Sequence, residues 1–220
     1  MSGYLALFDM DQTLVNVNTA ARLVRWRHRH GRNSAADVLR VAYWLAKYKF
    51  GLLDAPRIAE RVINQFRNHR EEELHDDCVE WYRTEGREYI VPEARRTLER
   101  HRSEGAILAV VTTATRYAVL PLAKDLRIPY VICTDLEVDV SGRFTGRIIE
   151  PLCYGTGKVT RATQWAGSIG HSLAKAYFYT DSITDAPLLA SVAHPVAVNP
   201  DPRLRRLAQT KGWRVENWRN

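Results

Sequence analysis

The chain opens on an unbroken apolar run, Tyr4-Leu5-Ala6-Leu7-Phe8, that stops abruptly at Asp9-Met10-Asp11. The same design, an apolar run closed by a polar residue, returns four times: residues 106–111 before Thr112, 130–133 before Thr134, 176–179 before Thr180 and Asp181, and 195–198 before Asn199. Short runs with no polar alternation predict strands buried on both faces. Helical periodicity separates them over residues 93–104, 117–126, 158–168, 185–193 and 202–210. Strands alternating with helices predict an α/β fold, a doubly wound and mostly parallel sheet covered on both sides, in which the polar residues ending successive strands gather along one edge. Asp9, Thr112 and Asp181 thereby converge although they are far apart in the chain.

From Thr19 to Tyr89 the pattern changes. Strand-like runs give way to helical periodicity, and the segment carries its own aromatic residues, Trp26, Tyr43, Trp44, Phe50, Phe66, Trp81 and Tyr82. This is too long for a connecting loop and predicts a helical domain, residues 17–89, inserted into a core formed by residues 1–16 and 90–220. Between residues 136 and 149, alternating residues flank Ser141-Gly142 and predict a β-hairpin standing out as a surface excursion. Trp213 and Trp218 are expected to anchor the last segment on the sheet.

With 220 residues, 25.2 kDa and 45% hydrophobic residues, the chain can bury the core this scheme needs. The net charge of +7 and pI near 9.5 favour an anionic partner without choosing among phosphates, nucleic acid and lipid headgroups. The charge is uneven: residues 15–70 hold twelve Lys/Arg against three Asp/Glu, whereas Glu71, Glu72, Glu73, Asp76, Asp77 and Glu80 follow in quick succession. Cys78, Cys133 and Cys153 form no C-x-x-C and are odd in number, which argues against a disulfide framework and leaves a reducing cytoplasm as the expected location. No stretch of about 18 uncharged apolar residues predicts a membrane span, and the opening apolar run meets its aspartates too soon to act as a signal peptide. Residues 38–53 are apolar and aromatic but broken by Arg40, Lys47 and Lys49, a pattern that fits a helix lying on a membrane surface or two facing helices of the insert.

The candidate chemistry begins at Asp9 and Asp11. Two carboxylates with one residue between them, at the carboxyl end of a buried strand, offer a nucleophile or metal ligand and a neighbouring acid/base. Like charges this close need a cation or a shared proton, so a divalent metal is implied. The pair alone leaves the chemistry open, because such pairs also occur in solvated turns and in metal-holding transferases. Asp181-Ser182-Ile183-Thr184-Asp185 adds two more carboxylates after another strand, although a capping cluster would read the same way. Lys158 follows Gly155-Thr156-Gly157 at an expected helix start, where a lysine could balance carboxylates and bind a phosphoryl oxygen. The segment is not a nucleotide-binding P-loop: Leu152 stands in place of its first glycine and Val159 follows the lysine. The seven histidines form no zinc set, and Cys133 reads as core.

Taken in order, Phe8-Asp9-Met10-Asp11-Gln12-Thr13-Leu14, Val110-Val111-Thr112-Thr113-Ala114-Thr115, Lys158, and Tyr179-Thr180-Asp181-Ser182-Ile183-Thr184-Asp185 resemble the four motifs of the haloacid dehalogenase superfamily, specifically its phosphoserine-phosphatase-like branch. The resemblance covers nearly the whole chain and implies a Mg²⁺-dependent hydrolysis of a small phosphorylated metabolite through an aspartyl-phosphate. It implies Asp9 as nucleophile and Asp11 as acid/base, with Asp9, Asp11 and Asp181 at the metal. Thr112, the Thr113 amide and Lys158 would hold phosphoryl oxygens, Asp185 would orient the site, and Ser182 would be an accessory. The second carboxylate, Asp11, favours ester cleavage over dehalogenation, because an alkoxide needs a proton to leave and a halide does not. The helical insert takes the place of the family's cap. Asn18, which the resemblance places among the substrate-binding residues, stands where phosphoserine phosphatases carry a glutamate facing the substrate's amino group, which weakens the case for phosphoserine itself. Arg22, Arg25 and Arg32 would suit a more anionic substrate or serve as a solvated helix face. Two other readings stay open at this level: a phosphotransferase using the same intermediate, and a noncatalytic polyanion or nucleic-acid binder using the basic insert, the latter disfavoured by the intact acid and lysine array.

Overall fold

The computed structural model describes residues 3–49 and 55–218. Seven strands form one sheet in the order β4-β3-β2-β1-β5-β6-β7. They are β1 (Leu5–Phe8), β2 (Ile107–Thr115), β3 (Tyr130–Val138), β4 (Phe144–Ile149), β5 (Tyr177–Thr180), β6 (His194–Val198) and β7 (Arg214–Glu216). All neighbours run parallel except β3 and β4. β1 lies at the centre, between β2 and β5, where the strand order reverses, so its carboxyl end opens on the crevice in which such sheets place ligands.

Alternation along β1 divides the core. Ala6 and Phe8 join one apolar layer with Leu98, Leu122, Tyr179 and Trp218, whereas Leu5 and Leu7 join the other with Val111, Phe178, Leu188 and Leu204. Helices α5 (Pro92–Ser103), α6 (Arg116–Asp125), α7 (Thr156–Ser168), α8 (Ala186–Leu189) and α9 (Pro202–Lys211) supply the cover. Pro92 and Pro202 start their helices where a missing N–H costs nothing, and Gly212 ends α9 in the left-handed region at φ 65°.

Between β1 and α5 the chain forms α1 (Thr19–Arg29), α2 (Ala35–Lys49), α3 (Ala55–Asn64) and α4 (Glu71–Thr84). The segment leaves and rejoins the sheet along paired backbone: Val15 bridges Ile90, Asn16 N donates to Tyr89 O (2.9 Å), and Val91 N donates to Leu14 O (3.0 Å). A third apolar group, with Ile63, Leu74, Cys78, Tyr117, Leu136 and Phe144, ties α3 and α4 to α6 and the β3–β4 hairpin. Inside α1 to α4, Asp77 is buried and paired with Arg27 (2.9 Å) and Arg32, so part of the basic surplus is neutralised locally. The stretch 38–53 is α2 up to Lys49, with Leu39 and Tyr43 exposed; residues 50–53 lie outside the described residues. Among the described residues no helix is long and apolar enough to cross a membrane.

Several elements depart from the sequence expectation. The hairpin is not a surface excursion: its first arm continues the strand begun at Tyr130, its second arm is the sheet edge, and Phe144 is buried against Phe66 of the insert. β2 runs on through Thr112 to Thr115, with a shift in register against β3 between Val111 and Thr115. The helix expected over 185–193 is shorter, because the chain must turn back into β6 at His194. β7 was not expected at all, since an edge strand of polar residues leaves no apolar run. Trp218 is buried beside Tyr179 at 5.7 Å between ring centroids, and Trp213 packs on the opposite layer.

Candidate active site

The site grows from the carboxyl end of β1. Asp9 N donates to Tyr179 O at 2.8 Å, extending the central ladder by one residue and fixing the Asp9 backbone beside β5. Its side chain meets Lys158 from the first turn of α7, whose Nζ donates to Asp9 Oδ1 at 2.7 Å and to Asp185 Oδ2 at 2.8 Å. Gly157 lets the turn before Lys158 fold tightly into α7: a Cβ there would lie 1.9 Å from Leu152 O. Asp185 Oδ2 also accepts from Thr180 Oγ1 at 2.7 Å. Lys158 and Asp185 are almost fully buried.

Burial works against the charge on Lys158, yet Asp185 and Asp9 outweigh it and hold the ammonium above its ordinary pKa. Asp9 is raised, because burial and the negative charge of Asp185 exceed the pull of Lys158. Asp11 accepts from Thr19 N (3.1 Å to Oδ2) and from Thr19 Oγ1, and burial pushes it up to about 6 against those bonds. Burial, then the charges on Asp9 and Asp185, push Asp181 to about 8. Four carboxylates therefore sense one another around the single ammonium of Lys158, and this excess of negative charge calls for a further cation.

The donor set suits such a cation. It is made of oxygen, and Asp185 Oδ1 is buried with no hydrogen-bond partner. A hard divalent ion takes oxygen ligands of this kind, one or two carboxylates among them, and keeps several waters.

The remaining expected residues are close by but differ in what they do. Thr112 is buried at the break in the β2 register, and its Oγ1 accepts from Ala114 N at 3.1 Å. The Thr113 side chain is turned away to Cys153 O (2.9 Å). Asn18 is the N-cap of α1, its Oδ1 accepting from Ala21 N at 3.0 Å, so its oxygen serves the helix. Ser182 shapes its own turn, accepting from Thr184 N at 3.3 Å. Sequence reasoning missed Thr180, which holds Asp185, and Thr19, which holds Asp11. Thr180 carried a signal as the polar residue ending β5; Thr19 was visible only as a helix start.

The haloacid dehalogenase-like hydrolase family model matches residues 6–190. The chain is 32% identical over 223 residues to a histidinol-phosphatase of Neisseria meningitidis serogroup C, covering 98% of this chain and 99% of the relative. It is 30% identical over 231 residues to a phosphoserine phosphatase of Mycobacterium tuberculosis, covering 97% of this chain and 70% of the relative. Among solved structures, a Bordetella pertussis Tohama I protein of unknown function superposes with a TM-score of 0.90 at 33% identity over the whole of both chains. A phospho-aspartyl intermediate analogue of phosphoserine phosphatase superposes with a TM-score of 0.73 at 18% identity, covering 100% of this chain and 95% of that one, a likeness of fold.

Proposed function

The chain belongs to the haloacid dehalogenase-like hydrolase family, and from that premise we propose that it is a Mg²⁺-dependent phosphatase that cleaves small phosphate monoesters through an aspartyl-phosphate on Asp9. The observation that carries this reading is the Lys158 bridge from Asp9 to Asp185, with Asp11 two residues on and fastened to Thr19.

Lys158 occupies Asp9 Oδ1, so Oδ2 is the oxygen that attacks phosphorus. As the Asp9–phosphorus bond forms, the ester P–O bond breaks and Asp11 passes a proton to the departing alkoxide. A carboxyl raised to about 6 suits that exchange near neutral pH. Water then attacks phosphorus, Asp11 takes its proton, and Asp9 is released. Thr112, the Thr113 amide and Lys158 hold the phosphoryl oxygens. Asp9, Asp181 and the Asp11 carbonyl would hold Mg²⁺, with Asp185 orienting them; bound there, the ion would neutralise phosphoryl and carboxylate charge.

Residues 17–89 act as a cap that shields the acyl phosphate from stray water. The paired backbone at 14–16 and 89–91 supports these borders, because it gives the insert two adjacent tethers. The two named relatives point to esters of amino alcohols as the first to try. Histidinol phosphate takes precedence, because its namesake matches end to end, and the Asn18 oxygen is committed to its helix.

The test is a screen of phosphorylated metabolites with Mg²⁺, comparing wild type with Asp9→Asn. The variant keeps the side-chain volume but loses the nucleophile, and turnover is expected to fall by roughly four orders of magnitude or more. Turnover surviving in Asp9→Asn would refute the covalent route. With an added alcohol, inorganic phosphate matching the alcohol released identifies a hydrolase, and a shortfall identifies transfer to the alcohol.

A further inference from the structure

Thr19 is the first residue of α1, and the helix does not need its hydroxyl. Asn18 already caps the helix, its Oδ1 accepting from Ala21 N at 3.0 Å. Thr19 is instead 1% exposed and turned back on Asp11. Its amide donates to Asp11 Oδ2 (3.1 Å) and Oδ1 (3.2 Å), and its Oγ1 donates to Oδ1. The chain between the two residues is folded for this meeting. Gln12 turns it at φ 58°, in the left-handed region that residues with a Cβ rarely adopt. Gln12 N then donates to Val17 O (3.3 Å), and Val15 N donates to Met10 O (3.1 Å). The carboxylate of Asp11 is therefore held by the first turn of α1, although its backbone belongs to the loop leaving β1.

The two oxygens of Asp11 are not equivalent. Oδ1 takes the hydroxyl hydrogen and a share of the amide hydrogen, whereas Oδ2 has only the other share. An oxygen already accepting in this way is a poor place for a proton of its own. A protonated Asp11 thus carries its proton on Oδ2.

Building on the phosphatase reading, we propose that Thr19 is a positioning residue for the acid/base: its hydroxyl assigns the transferable proton to Asp11 Oδ2 and ties proton delivery to the seating of α1. In the first half-reaction the ester P–O bond breaks with its electron pair on the departing oxygen, which takes the proton from Oδ2. The carboxylate left behind is stabilised by the Thr19 bonds, which strengthen once their acceptor is charged, and by the positive end of α1. In the second, a water oxygen bonds to phosphorus as the Asp9–phosphorus bond breaks, and the water proton returns to Oδ2. Thr19 acts through Asp11 in both.

The experiment uses two esters of similar shape, phenyl phosphate and 4-nitrophenyl phosphate, with the full chain and Mg²⁺. Phenolate leaves well only with a proton, whereas 4-nitrophenolate leaves without one. Thr19→Val keeps the side-chain shape and loses the hydroxyl; its kcat/KM is expected to fall about tenfold for phenyl phosphate and less than about twofold for 4-nitrophenyl phosphate. With the nitrophenyl ester, a burst of 4-nitrophenol should precede a slower steady rate, because breakdown of the aspartyl-phosphate still needs Oδ2 to take the water proton. Thr19→Ser, which keeps the hydroxyl, should match wild type on both esters. Thr19→Ala also lacks the hydroxyl and carries the comparison if the valine variant does not fold. Equal losses on the two esters, or a serine variant as impaired as the valine one, overturn the role of Thr19 and leave the phosphatase reading standing. A wild type that cleaves only the nitrophenyl ester does the same. Turnover of neither ester by wild type overturns the phosphatase reading, and the role of Thr19 with it.

Discussion

A buried side chain can be tuned by its neighbours in ways its identity does not reveal, and His101 shows this away from the site. Its two ring nitrogens lie 2.8 Å from the hydroxyls of Tyr4 and Tyr179, and it is 1% exposed. Burial, with Arg100 adding to it, lowers its pKa from 6.5 to about 4. Between those values the unfolded chain binds the proton and the folded chain does not, so stability is retained above about pH 6.5 and falls as the pH drops towards 4. At pH 5 this single residue should cost about 2 kcal/mol relative to pH 7. His101→Gln, which can still bridge the two hydroxyls, should flatten that part of the profile; urea denaturation at pH 7 and pH 5 measures the difference. The same principle separates the residues of the candidate site. Asp9, Asp11, Lys158 and Asp181 could be picked out from residue type and position in the chain. Thr180 showed its place but not its role, and Thr19 showed neither, because a threonine's role as a hydrogen-bond support depends on which carboxylate the fold brings to it.

At the scale of elements, the legible parts were those whose burial is uniform. β1, the start of β2, β5 and β6 lie inside the sheet and leave apolar runs. β7 lies on the edge and leaves no periodic signal, and α8 keeps only a single turn of the helix that periodicity extends over residues 185–193. The hairpin was visible through its alternation, but its place as the sheet edge against α3 was not, because that depends on Phe144 meeting Phe66 from a distant segment. One junction between elements is open to direct test. Asp201 caps α9 by accepting from Arg203 N (2.8 Å) and Leu204 N (2.9 Å). Its other oxygen accepts from Ile183 N (2.7 Å), and its own N–H donates to Asp181 O (2.8 Å). Asp201→Ala should lower stability by about 1–2 kcal/mol through the lost cap and the unpaired Ile183 amide. Asp201→Asn, which keeps an acceptor, should recover much of it. Chemical denaturation reads the stability, and a fall in kcat in the alanine variant would report a loosened 181–185 turn.

Across the whole molecule, the net charge and the site have opposite signs. The chain is basic overall, yet four carboxylates meet around one lysine at the carboxyl edge of the sheet. A bound divalent ion should therefore stabilise the fold as well as support turnover. At Mg²⁺ concentrations about 100-fold above its Kd, the linkage is worth about 2.7 kcal/mol, and the melting temperature should rise by about 5 °C or more relative to chelated protein. Thermal denaturation with and without Mg²⁺ measures the rise, and Asp181→Asn should remove most of it. The amino-acid sequence by itself determined the sheet class, the helical stretch between β1 and α5 and the order of the acid-bearing strand ends, because burial periodicity and motif spacing are local properties written along the chain. Only the tertiary structure decided that Lys158 joins Asp9 to Asp185, that Asn18 serves its own helix, and that Thr19 holds Asp11. Those contacts arise from packing between segments far apart in the chain, which fix distance and charge where no local pattern can.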